Sequence, residues 1–356
     1  MVNPGRVVAV VVVCCFAAGA RAAESDPFYG WRTPPRDGTA ALNAVINERL
    51  QRGLDDVNRR PAGLSCEQVA KDMSVPLWST ALFYFISDMN RWDVDHVPRT
   101  SSEYEREMPV RGIYRNSLLL PFGRLVPIDP TVRVGDVLFG IDKLGHFFTN
   151  GPRYLDRYRE ARADGADVDA AEVAAVRYGV GQERGWLGLG VSGIFSYADL
   201  EANWRGLLFF RELCAPDARP DAVRLQIIDG RWRLSQPFDI GAVVDPCWDE
   251  SFLPNAFGRS EGAAVQEALR ETCPLWRRPD LVQRRASYRA QGCPARHVEV
   301  LATLLRDGEV PDPSPWSLEE ICPELGMMAA GDDDVVTNDK TPVRAAHRDS
   351  TSTQQR

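Results

Sequence analysis

The residues from Val137 to Phe210 constrain this chain more than any other stretch. They read VLFGIDKLGHFFTNG, then a helical run ending YGVGQERGWLG, then GIFSYADLEANWRGLLFF. Ionisable and amide groups stand there among apolar neighbours: Asp142, His146, Glu183 and Asp199, with Asn203 beside them. A buried charge is costly unless it is paired. Any fold that buries this stretch must therefore bring these groups to partners, and a polar cluster built from three helices is expected.

The first helix is short. Leu138 and Phe139 lead into Ile141, Leu144, Phe147 and Phe148, apolar nearly all round, which predicts burial. Asp142 and His146 stand four apart and share a face. Asn150-Gly151-Pro152 reads as a stop, with glycine at the cap and proline opening a new helix to about Ala163. In the second helix Val173, Val176, Val180, Glu183 and Leu187 recur at spacings of three and four, so Glu183 stands where the stripe wants a hydrophobe. The third starts at Ser196, a favoured N-cap, with Asp199 at the third helical position in a variant capping box. Leu200, Asn203, Leu207 and Phe210 form its stripe. Carboxylates and imidazoles buried together have shifted pKa values, a marker of functional sites.

DKLGHF, a later glutamate and FSYADLEANWRG together resemble the D-K-x-x-H-F … E … S-x-x-D-x-x-A-N-x-x-G pattern of VanZ-like proteins and of related periplasmic lipoproteins. The matching residues are Asp142, Lys143, His146, Phe147, Glu183, Ser196, Asp199, Ala202, Asn203 and Gly206, within roughly a fifth of the chain. VanZ itself is a small multi-helix membrane protein tied to glycopeptide resistance. This chain departs from it in having no further membrane spans, so that role does not carry over. The resemblance implies a site and leaves the reaction open.

Residues 1–22 read as a secretory signal, with Arg6, an apolar run from Val7 to Phe16, and Ala20-Arg21-Ala22 for cleavage. Lipidation at Cys14 or Cys15 is disfavoured, because Val-Val-Val precedes Cys14. No other run approaches the ~18 apolar residues of a membrane span. A periplasmic or secreted location is the expectation. Without Arg6 and Arg21 the 42 basic and 50 acidic residues become 40 and 50, a net charge of −10. That argues against nucleic acid and anionic membrane surfaces as partners and leaves an envelope component as the partner class. Six cysteines remain, Cys66, Cys214, Cys247, Cys273, Cys293 and Cys322, an even set that predicts up to three disulfides with open connectivity. Structural zinc is disfavoured, since no C-x-x-C occurs and no histidine is suitably spaced.

The fold class is mainly α: a multi-helix core with a small β-hairpin and a disulfide-stapled, mostly helical C-terminal region. The boundaries are residues 1–22 for the signal, 23–214 for the helical core, 215–325 for the stapled region and 326–356 for a polar, disordered tail. Residues 26–38 read as an extended lead-in, 39–60 as an amphipathic helix, 65–73 as a short helix capped by Ser65, and 75–89 as an apolar helix. Residues 99–106 read as a solvated charged surface, and 117–126 as a small hairpin or a substrate-covering loop. Residues 223–228 and 231–234 flank Asp229-Gly230, a hairpin turn. Asp245, Asp249 and Glu250 read as solvated charges around a cysteine staple, or as cation ligands. Helices are expected over 261–272, 280–290, 296–307 and 317–322.

Each residue also has a plain structural reading. His146 alone would be a satisfied core histidine, Asp199 a cap and Asn203 a packing residue. Lys143 reads as a snorkelling side chain or as the neutraliser of one carboxylate. His96, His297 and His347 have no partners in sequence and receive no chemistry. Two functions follow. In the first, a non-catalytic envelope protein uses the cluster as a polar network in a binding or scaffolding role. In the second, an envelope hydrolase or transferase uses His146 as general base or acid, with Asp142 or Glu183 orienting and charging it. Asp199, Asn203 and Lys143 would then bind substrate. One imidazole with several carboxylates would accept a single divalent cofactor, Mn, Mg, Ca or Fe, rather than a zinc-finger ion. The Gly190–Gly193 run lacks the G-x-S-x-G spacing of a serine nucleophile.

Overall fold

The computed structural model describes residues 24–73, 97–116, 129–185, 187–190, 192–216, 219 and 221–325. The signal, the 75–89 helix, the 117–126 hairpin, the tail, His96 and His347 lie outside these residues. The described chain is mainly helical, with three disulfides and a small antiparallel hairpin.

Local signals account for several elements. The first long helix, Thr39–Asn58, buries Leu42, Ile46, Leu50, Leu54 and Val57 along one stripe. Cys66–Met73 follows, preceded by a reciprocal cap in which Gln68 N–H donates to Ser65 Oγ and Ser65 N–H donates to Gln68 Oε1. The hairpin pairs Leu225–Ile228 with Arg231–Leu234. Its turn has Asp229 at φ 51° and Gly230 at φ 72°, as a type I′ turn requires. The expected C-terminal helices are Arg259–Arg270, Pro279–Gln291, Ala295–Arg306 and Leu318–Ile321.

The lead-in is not simply extended. Asp26 Oδ1 accepts the Tyr29 N–H and caps a helical turn, Pro27–Gly30, which carries Phe28, Tyr29 and Trp31 into the interior. The charged segment near residue 102 is a helix, Ser102–Arg111, anchored where Tyr104 OH donates to Asp26 O at 2.8 Å.

Two expectations about the central stretch are corrected. Val137–Gly140 is a strand, paired antiparallel with Thr131–Val134 so that Leu138 faces Arg133 and Phe139 faces Val132. A short apolar run does not distinguish strand from buried helix. Here the neighbouring strand supplies the hydrogen bonds. Asn150-Gly151-Pro152 does not stop the helix. The helix α1, Asp142–Gly145, continues through a π turn at His146–Asn150 into α2, Gly151–Ala163. Pro152 has no N–H to give to the carbonyl four residues back, and its ring would crowd that carbonyl. The π turn absorbs this, with Gly151 N–H reaching back to His146 O.

Helix α2 packs against α3, Val168–Arg184, and α4, Tyr197–Glu212. The α2–α4 crossing is close because glycine faces glycine. A Cβ on Gly206 would lie 2.2 Å from Phe147 O and 2.8 Å from Gly151 Cα. Gly206→Ala is therefore expected to destabilise the protein by about 2 kcal/mol, as overpacking does. A lower urea midpoint with unchanged slope would show it. An unchanged midpoint would mean that the crossing relaxes freely.

The disulfides join distant segments: Cys66–Cys214, Cys247–Cys293 and Cys273–Cys322. Residues from both sides of Cys214 share one apolar core, including Leu50, Phe139, Phe147, Trp248 and Trp276. The segment that carries Cys247 runs back against α4 and the strand Val137–Gly140.

Candidate functional site

The cluster assembles where α1, the π turn, the end of α3 and the start of α4 meet. Lys143 is its centre. Its side chain has 0% exposure, and Nζ lies 2.6 Å from Asp142 Oδ2, 2.6 Å from Asp199 Oδ1 and 2.7 Å from Glu250 Oε1. Lys143 is therefore not a snorkelling residue: no path to solvent remains for its ammonium. His146 lies beside it, with Nε2 at 3.1 Å from Asp199 Oδ2 and Nδ1 at 3.1 Å from Asn203 Oδ1. Asn150 Nδ2 stands 3.4 Å from the same Nδ1.

The N-cap of α4 ties the rest together. Ser196 Oγ accepts the Asp199 N–H at 3.2 Å and donates to Glu250 Oε1 at 3.1 Å. Ser196 N–H donates to Glu183 Oε2 at 3.3 Å. Asn203 Nδ2 donates to the Tyr154 hydroxyl at 3.3 Å. That ring fits because residue 179 is glycine, where a Cβ would meet the Tyr154 hydroxyl at 1.6 Å.

All six residues singled out from sequence, Asp142, Lys143, His146, Glu183, Asp199 and Asn203, thus converge. The carboxylate in contact with the imidazole is Asp199, not Asp142 or Glu183. The sequence reading gave Asp245, Asp249 and Glu250 as solvated charges or as cation ligands, and did not connect Glu250 to this cluster. All three are buried, at 8%, 0% and 1% exposure. Their apolar flanks, Trp248 before and Phe252-Leu253 after, were the available signal. Asp249 accepts from Trp31 Nε1 at 2.8 Å, and Asp245 accepts from Arg205. Glu24 was also missed. It is 2% exposed, accepts from Ser192 Oγ at 2.9 Å and feels the charges of Glu250 and Asp199.

The charge states follow from burial and neighbours. Burial would strip the proton from Lys143, but Asp142, Asp199 and Glu250 outweigh it and hold the ammonium charged. Burial likewise opposes a charged His146, yet Asp199 raises the imidazole to about 9. Burial also works against the Asp199 anion, and His146 with Lys143 nevertheless keeps that carboxyl well below its ordinary range. Burial, reinforced by Asp199, pushes Glu183 up to about 8. Burial pushes Glu250 up to about 7, with Lys143 pulling the other way. At neutral pH the cluster therefore sets cationic Lys143 and His146 against an ionised Asp199, with Glu183 protonated and Glu250 near its midpoint.

A second polar group lies on another face of α4. His297 Nδ1 contacts Glu201 Oε2, Trp204 stacks on the imidazole at 5.3 Å, and Arg205 bridges Glu201 and Asp245. His297 therefore does have a partner, from a helix distant in sequence. Burial pushes it down to about 3, so it is neutral.

Among the groups around Lys143, His146 reaches furthest toward the surface, with 14% of its side chain exposed against 5% or less for Asp142, Asp199 and Glu250. One donor atom each from Asp142, His146 and Asp199 lies within 4.8 Å of the other two, a spacing that suits one ion. A groove of about 550 Å³ opens elsewhere, between Thr39–Asn58 and the hairpin, and shares no residue with the cluster.

Comparisons with protein-family models, curated proteins and solved structures find no match. Among the described residues no helix is long and apolar enough to cross a membrane.

Proposed function

We propose that this is an exported cell-envelope protein of VanZ-like character whose buried cluster serves a binding or scaffolding role. The observation that carries this reading is Lys143, wholly buried and gripped by carboxylates from three separate segments. Both nitrogens of His146 are also engaged, by Asp199 and Asn203, so neither is presented to a substrate in this state. Three disulfides support an oxidising compartment, periplasmic or extracellular. The network ties α1, α3, α4 and the 245–250 segment together, as buried polar networks do.

A second reading, an envelope hydrolase or transferase, is favoured by the exposed edge of His146. In it the imidazole is general acid or base and the Asp199 carboxylate orients it. Thermal unfolding of His146→Ala separates the two. The scaffold reading expects a loss of about 2 to 4 kcal/mol, because Asp199 and Asn203 lose a buried partner. Unchanged unfolding would sink that reading and favour the enzyme.

A further inference from the structure

We propose that the cluster is a divalent-cation site in which Asp142, His146 and Asp199 supply the inner ligands, the imidazole releasing its proton to solvent as the ion binds, and Glu183 supplies a further carboxylate. This goes beyond the scaffold reading, which would stand for a metal-free network. The first observation is spacing: the three donor atoms lie within 4.8 Å of one another. They come from one continuous helical segment and the first turn of α4, which the Gly151–Gly206 contact presses together.

The second observation is independent of spacing. Four buried carboxyls each leave one oxygen with no hydrogen-bond partner: Glu24 Oε2, Asp142 Oδ1, Glu183 Oε1 and Glu250 Oε2. Their residues are 3% exposed or less. Buried polar atoms are ordinarily satisfied, and exceptions of this kind mark an absent ion or water. Glu183 stands beside these ligands, because its Oε2 accepts from the N–H of Ser196, the N-cap of the helix that carries Asp199. Lys143 Nζ contacts Asp142, Asp199 and Glu250, and the orphan oxygen of Glu183 is not among its partners.

The donor set selects the class of ion. One imidazole with two or three carboxylates suits a borderline-to-hard divalent ion such as Mn²⁺ or Fe²⁺, whereas soft ions prefer thiolates. Water would complete the coordination shell. The exposed edge of His146 is the side from which an ion enters.

The test uses the full exported chain, purified from an oxidising compartment without chelator. Metal content is measured by plasma mass spectrometry. The chelator-stripped protein is then titrated with MnCl₂ alone, and bound Mn²⁺ is read by electron paramagnetic resonance. The expected result is about one equivalent in the parent, with affinity reduced at least tenfold in Asp199→Asn and in Glu183→Gln. Asp245→Asn, in the second polar group, should bind as the parent does. Both site variants are isosteric, and circular dichroism checks their fold. Should either fail to fold, broadening of the His146 ring-proton resonances when Mn²⁺ is added to the parent replaces it. No metal as purified together with no Mn²⁺ uptake overturns the proposal, as does uptake that both variants retain. Neither result touches the scaffold reading, which fails separately on the stability of His146→Ala.

Discussion

Lys143→Met is expected to cost about 3 to 5 kcal/mol of stability, the range seen when one partner of a buried ion pair is removed. Methionine keeps most of the aliphatic stem, so little cavity opens and the loss reports the charge. The cost is large because the ammonium meets three carboxylates within 2.7 Å and the side chain has no exposure. Without it, Asp142, Asp199 and Glu250 remain buried as like charges, or must take up protons. Urea unfolding at neutral pH reads this as a lower midpoint. A variant within 0.5 kcal/mol of the parent, the range of ordinary surface substitutions, would mean that the ammonium is dispensable. The asymmetry matters, since replacing a whole buried ionic group by apolar residues can be neutral while removing one member is not.

Removing Cys66–Cys214 by substituting both cysteines with alanine is expected to cost about 4 to 5 kcal/mol. The bond closes a span of 148 residues, against 46 for Cys247–Cys293 and 49 for Cys273–Cys322. Loop-closure entropy grows with the logarithm of length, so the long bridge should exceed either short one by about 1 kcal/mol. It also ties Cys66–Met73 to the end of α4, so its loss frees the helix that carries Asp199 and Asn203. Urea midpoints of the three double variants give the order. If Cys247–Cys293 proved the largest, the placement of Glu250 would matter more than chain entropy.

Much of the site was legible because its signals are local. Ser196, Asp199 and Asn203 follow from an N-cap and a helical period, and the structure places them as that pattern requires. Asp142, Lys143 and His146 lie within one turn, so their convergence needed no long-range knowledge. What was illegible is tertiary. Glu250 contacts Lys143 across 107 residues, and no periodicity predicts such a contact. His297 meets Glu201 across 96 residues for the same reason. Of the two readings of Lys143, the neutraliser of a carboxylate is the one the structure shows; the snorkelling reading failed because only the meeting of three segments removes the usual route to solvent. The Leu138–Phe139 strand and the π turn before Pro152 failed differently. Short apolar runs and an Asn-Gly-Pro stop each admit two structures, and the packing partner decides between them.

The central claim is that carboxylates from distant segments and Lys143 form one cooperative unit. A double-mutant cycle of Lys143→Met and Glu250→Gln, measured by urea unfolding, tests it most directly. The account predicts a coupling energy of about 1 to 3 kcal/mol, because the glutamine no longer leaves a buried charge without its cation. Additive effects within about 0.3 kcal/mol, as for independent sites, would contradict it.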